Sequence, residues 1–239
     1  MIGLGTIINT LAIGLGGVLG AVFGRFLSES TQTTLNRVCG VSTLFIALSG
    51  AMEGMLRVEN GVIVSSGSML IVICLAIGAV IGELLDIEGG FERFGEWLKL
   101  KSGNASDQGF VHAFVTASLT VCIGAMAIVG SIQDGLAGDY SILATKAILD
   151  LIIIMVMSCS LGRGAVFSAV PVAIFQGSIT LLAGLVRPLM TDAALHNLSL
   201  VGNVLIFCVG INLLWGKKIK VANLLPAIVI AVIAAFLPL

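Results

Sequence analysis

Residues 110–132 read FVHAFVTASLTVCIGAMAIVGSI, a run of 23 residues without Asp, Glu, Lys or Arg. About 20 apolar residues in helical conformation cross the hydrocarbon core of a bilayer, so this segment predicts a transmembrane helix. The rest of the chain has the same character, because 58% of its 239 residues are hydrophobic and 10% are charged. Soluble domains carry about 25% charged residues. The sequence therefore predicts an all-α polytopic membrane protein whose partner is the lipid bilayer.

Eight apolar segments follow one another and predict a single transmembrane domain over residues 1–239. They occupy residues 2–23, 38–55, 69–85, 110–132, 142–161, 165–186, 198–215 and 221–237. The uncertain division is at Ser160 to Gly164, and without a turn there the count is seven. Because the apolar stretch 142–186 is about twice the length of one transmembrane helix, we favour eight. The first segment has no positive n-region, so we expect a retained span.

The distribution of Lys and Arg among the connections predicts the orientation. With eight spans, nine cations lie on one side of the membrane: Arg25, Arg37, Arg93, Lys99, Lys101, Arg163, Lys217, Lys218 and Lys220. The other side carries three, which are Arg57, Lys146 and Arg187. The positive-inside rule assigns the richer side to the cytoplasm. We therefore expect both termini outside the cytoplasm.

One connection is long enough to have structure of its own. Ile87, Phe91, Phe94, Trp97 and Leu98 recur at helical spacing, while charged residues occupy the opposite face. This pattern predicts a short amphipathic helix over residues 87–100, lying in the cytoplasmic interface. A plain surface helix between two spans is the alternative.

Two related stretches indicate internal repeats. Residues 20–27, GAVFGRFL, are echoed by residues 78–85, GAVIGELL. We predict tandem repeat units over about residues 1–57 and 68–137, and a fainter, inverted copy over 165–239, for which shared apolar composition is the alternative explanation. Opposed copies of one helical unit are typical of secondary transporters, with solute sites near the membrane midplane.

Three further stretches resemble a known family. They are GTIIN at 5–9, GAMAIVGSIQDG at 124–135 with Lys146 and Asp150 after it, and VANLLP at 221–226. On these motifs the chain resembles the bacterial multi-pass membrane proteins of the YdfK and YqgA type, a family catalogued as a domain of unknown function. The resemblance covers nearly the whole chain. It implies a bacterial inner-membrane protein of the transporter kind, without a settled substrate.

Lys146 and Asp150 are the most prominent ionisable residues within the predicted spans. They are four residues apart and therefore lie on the same face of the fifth span. Ionisable groups at membrane depth are costly and usually face the protein interior or a water-filled path. One interpretation is an ion pair that neutralises both charges and eases insertion. The other is a group that binds a coupling ion or a substrate.

The Gly-rich segment before this pair offers a second candidate site. Gly124 and Gly130 either allow close helix packing or break the helix, so that freed backbone groups line a cavity. In the second interpretation Ser131, Gln133 and Asp134 contact a solute. Asp134 alone has a further interpretation, as a residue of the outer surface.

Amide side chains inside apolar runs are weaker candidates for binding a substrate or ion. Asn9, Gln176 and Asn212 are of this kind. Such amides more often form hydrogen bonds between helices. Direct contact with a solute is the alternative.

The sequence predicts no enzyme, metal site or cofactor. Hydrolytic G-x-S-x-G and H-E-x-x-H motifs and a nucleotide-binding G-K-[ST] loop are absent, and no two of the five cysteines form C-x-x-C. The balance of 12 basic and 13 acidic residues excludes a nucleic-acid binder. We therefore expect a transporter of a small solute or ion, with spans four and five forming most of the site. A channel-like or scaffolding homo-oligomer held through GxxxG-type faces of spans one and three is the alternative.

Overall fold

The computed structural model describes residues 2–59 and 61–237. Its helices are α1 (Leu4–Gly24), α2 (Glu29–Met55), α3 (Ser68–Leu85), α4 (Ile87–Lys101), α5 (Phe110–Cys122), α6 (Ala125–Ala137), α7 (Ser141–Leu161), α8 (Ala169–Leu181), α9 (Ala183–Val186), α10 (Asp192–Trp215) and α11 (Pro226–Ala234). Short 3-10 helices cover Arg163–Ser168, Arg187–Leu189 and Val221–Leu224. Strands β1 (Leu56–Glu59) and β2 (Val62–Ser65) form an antiparallel hairpin in which Val58 lies opposite Ile63.

The helices confirm the predicted all-α polytopic membrane protein. Within the described residues, six helices are long and apolar enough to cross a membrane: α1, α2, α3, α7, α10 and the continuous segment Arg163–Leu181. The pair α5 and α6 qualifies as one further span although it is bent by 64°. Val221–Ala234 is a shorter apolar helix at the position of the eighth predicted segment. The exact number of spans stays a prediction.

The chain reverses direction at Gly162, where the sequence predicts a turn. Gly162 has φ 110°, a backbone conformation that L side chains rarely adopt, and a 3-10 turn then leads into α8. Helix α7 runs parallel to α1, because Gly5 contacts Leu143 and Gly20 contacts Met155. Helix α8 runs antiparallel to α1, because Thr6 meets Thr180 whereas Gly17 contacts Val166. Residues 142–186 therefore form two antiparallel helical segments, one before and one after Gly162.

The chain forms two compact units that interleave along the sequence. The first unit consists of Met1–Cys39 and Gly89–Arg187, and the second of Gly40–Glu88 and Pro188–Leu239. These boundaries do not follow the predicted repeat units 1–57, 68–137 and 165–239. The tandem and inverted repeats stay a prediction.

Glycines bring α1 into backbone contact with α7 in the first unit. A Cβ added at Gly16 would overlap the carbonyl oxygen of Leu151, and one at Gly20 would overlap that of Met155. Close approach of this kind is the usual reason for small residues at helix interfaces in membranes. A hydrogen bond of 2.8 Å from Ser158 Oγ to the carbonyl oxygen of Gly17 strengthens the contact.

Helix α3 uses its matching glycines in the same manner within the second unit. A Cβ at Gly78 would lie 2.7 Å from the Cβ of Ala227, and one at Gly82 would overlap the carbonyl oxygen of Asn223. The GxxxG-type faces of α1 and α3 are therefore covered by helices of the same chain. A homo-oligomer held through these helices stays a prediction.

Helix α4 confirms the predicted helix over residues 87–100. Phe94 stacks on Trp97 with 5.8 Å between ring centroids, and it meets Phe114 of α5 edge-on at the same distance. Leu98 is buried, whereas Trp97 is 52% exposed. One apolar side of α4 thus packs on α5, and its position in the cytoplasmic interface stays a prediction.

Candidate functional site

Gly124 interrupts the predicted fourth span. Helix α5 ends at Cys122, Ile123 is extended, and Gly124 adopts φ 149° and ψ 148° before α6 begins. Only glycine takes this conformation at low cost. The helix is therefore broken at Gly124, and a cavity lined by its freed backbone groups stays a prediction. Gly130 serves close packing instead, since a Cβ there would lie 2.8 Å from the Leu143 side chain.

The break leaves the last carbonyl groups of α5 without donors from the following turn. The ammonium of Lys146 takes one of them, with 3.0 Å between Lys146 Nζ and Val121 O. The same nitrogen lies 2.5 Å from Asp150 Oδ2. The predicted pair of Lys146 and Asp150 on one face of α7 is confirmed. The two residues are only 7% and 4% exposed.

Asn9 connects this pair to two further helices. Its Nδ2 group donates to Asp150 Oδ2 at 3.1 Å and to Gln176 Oε1 at 3.2 Å. Asn9 and Gln176 are fully buried. We refer to Asn9, Lys146, Asp150, Gln176 and the carbonyl group of Val121 as the Asp150 cluster. It joins α1, α7 and α8 at the end of α5, all within the first unit.

The cluster contains polar atoms that hydrogen bonds within the protein leave unused. Among the residues that the structure describes, Asn9 Oδ1 and Gln176 Nε2 have no hydrogen-bond partner. A buried polar group without a partner costs about 1–3 kcal/mol. The cluster thus holds one unpartnered acceptor and one unpartnered donor beside two opposite charges. Ser118 and Ser131 are likewise fully buried with an unpartnered Oγ atom.

Asp150 lies close to the middle of its helix. Helix α7 has 21 residues, and at a rise of about 1.5 Å per residue Asp150 is about 14 Å from its first residue. The full helix is about 31 Å long by the same rise. This length matches the hydrocarbon core of a bilayer. The Asp150 cluster is therefore placed in the central part of the candidate span.

Asp134 has a structural role in the described chain. Its carboxylate accepts hydrogen bonds from the backbone N–H groups of Gly3, Gly5 and Thr6, at 3.1, 2.9 and 3.4 Å. These groups begin α1, where donors lack partners within the helix and the helix dipole favours negative charge. Asp134 is fully buried. The interpretation as an outer-surface residue is wrong, because the carboxylate is enclosed by the start of α1.

Replacing Asp134 by Ala is expected to destabilise the protein by about 2 kcal/mol, since a lost cap costs up to that amount. The buried N–H groups at the start of α1 would lose their acceptor. The unfolding midpoint of the detergent-purified protein measures the effect. Gln133→Ala is the matched control, because Gln133 is half-buried and its side chain has no hydrogen bond within residues 2–59 and 61–237. Equal midpoints for the two variants would contradict the capping role.

Two predicted residues are not brought into the cluster. The side chain of Gln133 forms no hydrogen bond within the described residues. Asn212 belongs to the second unit, where its Oδ1 accepts from the N–H groups of Lys218 and Ile219 and its Nδ2 donates to Ile219 O at 2.7 Å. These bonds close the turn after α10. The amide of Asn212 is engaged by the local backbone, and its assignment to a binding site stays a prediction.

The second unit contains a buried carboxylate that the sequence did not single out. Glu88 is 5% exposed, and its Oε1 lies 2.9 Å from Lys217 Nζ. Its Oε2 accepts from the N–H group of Ala222 at 3.0 Å, and its own N–H group donates to Asn223 Oδ1 at 2.7 Å. These bonds tie the start of α4 to the 3-10 turn before α11. The carboxylate of Glu88 thus stabilises a connection between helices, and both of its oxygen atoms have partners.

A second ion pair lies beside it on the exposed surface. Lys220 Nζ is 2.9 Å from Glu83 Oε2, and both side chains are more than half exposed. The hydrogen bond to Glu83 raises the pKa of Lys220 above its ordinary value. This pair has the same chemistry as Lys146 and Asp150 in a solvated setting, so it is a matched control for them.

Sequence comparisons place the chain among bacterial membrane proteins. It is 28% identical over 232 residues to "Uncharacterized membrane protein YdfK" of Bacillus subtilis, covering 97% of this chain and 95% of that one. It is also 28% identical to "Uncharacterized protein YqgA" of Escherichia coli, covering 95% and 94% of the two chains. No solved structure matches. The profile of the family described as "Protein of unknown function (DUF554)" matches residues 4–236, and the chain therefore belongs to that family.

Proposed function

We propose that this protein is a secondary transporter that moves a small solute or ion across the bacterial inner membrane, with its binding site at the Asp150 cluster. The observation that carries the proposal is the helix break at Gly124 beside a buried pair of opposite charges. Non-helical backbone at membrane depth is tolerated where it is buried in protein or lines a cavity. Discontinuous helices form the solute and ion sites of many transporters.

The chemistry of the cluster supports a polar or charged solute. Ionisable residues inside membrane spans mark substrate and ion paths. Asn9 Oδ1 and Gln176 Nε2 supply an unused acceptor and an unused donor beside the charged pair. The proposed role is non-enzymatic, and because the sequence has no nucleotide-binding loop, an ion or solute gradient would drive the movement.

The test begins with a thermal-shift screen of the detergent-purified protein against small metabolites and ions. A substrate binds the folded state and raises its unfolding midpoint by mass action. Compounds that stabilise the protein are then measured for uptake into proteoliposomes, with and without imposed ion gradients. We expect uptake that saturates with solute concentration and responds to a gradient. Uptake that stays linear in concentration and ignores every gradient would indicate a channel.

Paired variants locate the site in the same assay. Lys146→Met combined with Asp150→Asn removes both charges of the cluster, and we expect it to fold but to lose uptake. Glu83→Gln combined with Lys220→Met makes the same chemical change in the exposed pair and should retain uptake. Full activity in the first double variant would remove α7 from the proposed site.

The inner-membrane orientation is part of the proposal and has its own test. The nine-to-three distribution of Lys and Arg predicts that both termini lie outside the cytoplasm. A fluorescent protein that fails to mature after Sec-dependent export should therefore stay dark when fused after Leu239. An exported phosphatase at the same position should be active. A bright fluorescent fusion would contradict the eight-span orientation.

A further inference from the structure

The ammonium of Lys146 lies among oxygen atoms in the position of a small cation. Its Nζ is 3.0 Å from the carbonyl oxygen of Val121 and 2.5 Å from Asp150 Oδ2. Both partners of the ammonium are oxygen atoms. Carboxylate and carbonyl oxygens are the ligands that hard metal cations prefer.

The carbonyl oxygen of Val121 is a good ligand because of where α5 ends. The helix stops at Cys122, so its last carbonyl groups form the negative end of the helix dipole and have few donors of their own. Half-helix ends of this kind coordinate Na⁺ or protons in secondary transporters.

Asn9 contributes a further oxygen atom to the cluster, one that forms no hydrogen bond with Lys146 Nζ. Its Nδ2 group is fixed by Asp150 and Gln176, while its Oδ1 atom is fully buried and has no partner within the described residues. Asp150 and Val121 O thus provide one negative charge and one neutral oxygen ligand at the position of the ammonium. This set balances a single positive charge, whereas a divalent cation would leave an uncompensated charge in a buried site.

We propose that the Asp150 cluster is a monovalent-cation site in which the side chain of Lys146 takes the place of Na⁺. Removing that side chain opens the site to free Na⁺. The wild-type protein carries its own cation and gains nothing from Na⁺. This inference deepens the proposed function and rests on it for one consequence, which is that wild-type transport does not require a Na⁺ gradient.

The experiment compares two replacements of Lys146 that remove the same charge. Lys146→Ala vacates the position of the ammonium, whereas Lys146→Met fills it with an apolar group of similar length. Unfolding midpoints of the detergent-purified variants are measured in NaCl and in choline chloride at equal ionic strength, with LiCl and KCl as a size series. Lys146→Ala is expected to gain about 5 °C or more in saturating Na⁺. Wild type and Lys146→Met should shift by less than about 1 °C, since they offer Na⁺ no site.

The double variant Lys146→Ala with Asp150→Asn tests the role of the carboxylate. It should fold in every salt and show no response to Na⁺, because the only negative charge of the site is gone. Equal midpoints of Lys146→Ala in choline and in all three metal chlorides would overturn the proposal. So would a Lys146→Ala protein that fails to fold in every salt while the double variant folds. No solute is used, so this result is independent of whether uptake is observed.

Discussion

Lys146→Met in buffer free of Na⁺ is expected to destabilise the protein by about 3–5 kcal/mol, the cost of breaking a buried ion pair. The replacement leaves the carboxylate of Asp150 buried, and within the described residues Asn9 Nδ2 remains as its hydrogen-bond donor. Adding Asp150→Asn removes that charge and should recover most of the loss. Unfolding midpoints of the wild type, the two single variants and the double variant give the four corners of the cycle.

The exposed pair of Glu83 and Lys220 provides the control for this cycle. Its Nζ to Oε2 distance is 2.9 Å, but water replaces a lost partner at the surface, where ion pairs contribute little. Lys220→Met should therefore leave the unfolding midpoint nearly unchanged. If Lys146→Met were as stable as the wild type, water would be reaching Asp150, and the cluster would not be buried in solution.

Local patterns in the sequence predicted the contact between Lys146 and Asp150 but not the residues of other helices that surround them. Lys146 and Asp150 are four residues apart, so the helix repeat alone brings them together. The hydrogen bond from Asn9 to Asp150 joins residues 141 positions apart, and no periodicity within α1 points to that partner. Helical segments and their faces follow from composition, whereas the meeting of three helices depends on tertiary packing.

Two glycines of this chain show why the position of the helix break could not be predicted from the sequence alone. Gly124 and Gly130 occur in the same apolar run, yet the first breaks the helix and the second packs against Leu143. Both roles require the absence of a side chain, so the residue type cannot separate them. The ligand role of the Val121 carbonyl depends on the break and was missed for that reason.

Amides in apolar runs show the same ambiguity. Asn9 joins three helices, whereas Asn212 closes the turn after its own helix. Both are amides surrounded by apolar residues in the sequence. The cations Lys217 and Lys218 predict a connection after Trp215. The sequence is therefore compatible with a local role for Asn212 in closing that connection.

Gly16→Ala is expected to cost about 3 kcal/mol, the upper part of the range for overpacking a close interface. The added methyl group would overlap the carbonyl oxygen of Leu151, which belongs to the backbone of α7 and cannot rotate away. The two helices must then separate along their contact. Because Asn9 on α1 and Asp150 on α7 span the same interface, we expect the Asp150 cluster to loosen as well.

Gly14→Ala on the same helix separates this effect from the general effect of alanine on helix formation. A Cβ at Gly14 meets no atom within 4 Å, and alanine favours the helix by up to about 1 kcal/mol over glycine. The unfolding midpoint should therefore fall for Gly16→Ala and stay level or rise for Gly14→Ala. Thermal unfolding in one detergent measures both. If the two variants had equal midpoints, α1 and α7 would not be in backbone contact in the folded protein, and the positions of Asn9 and Asp150 that follow from that contact would have to be reconsidered.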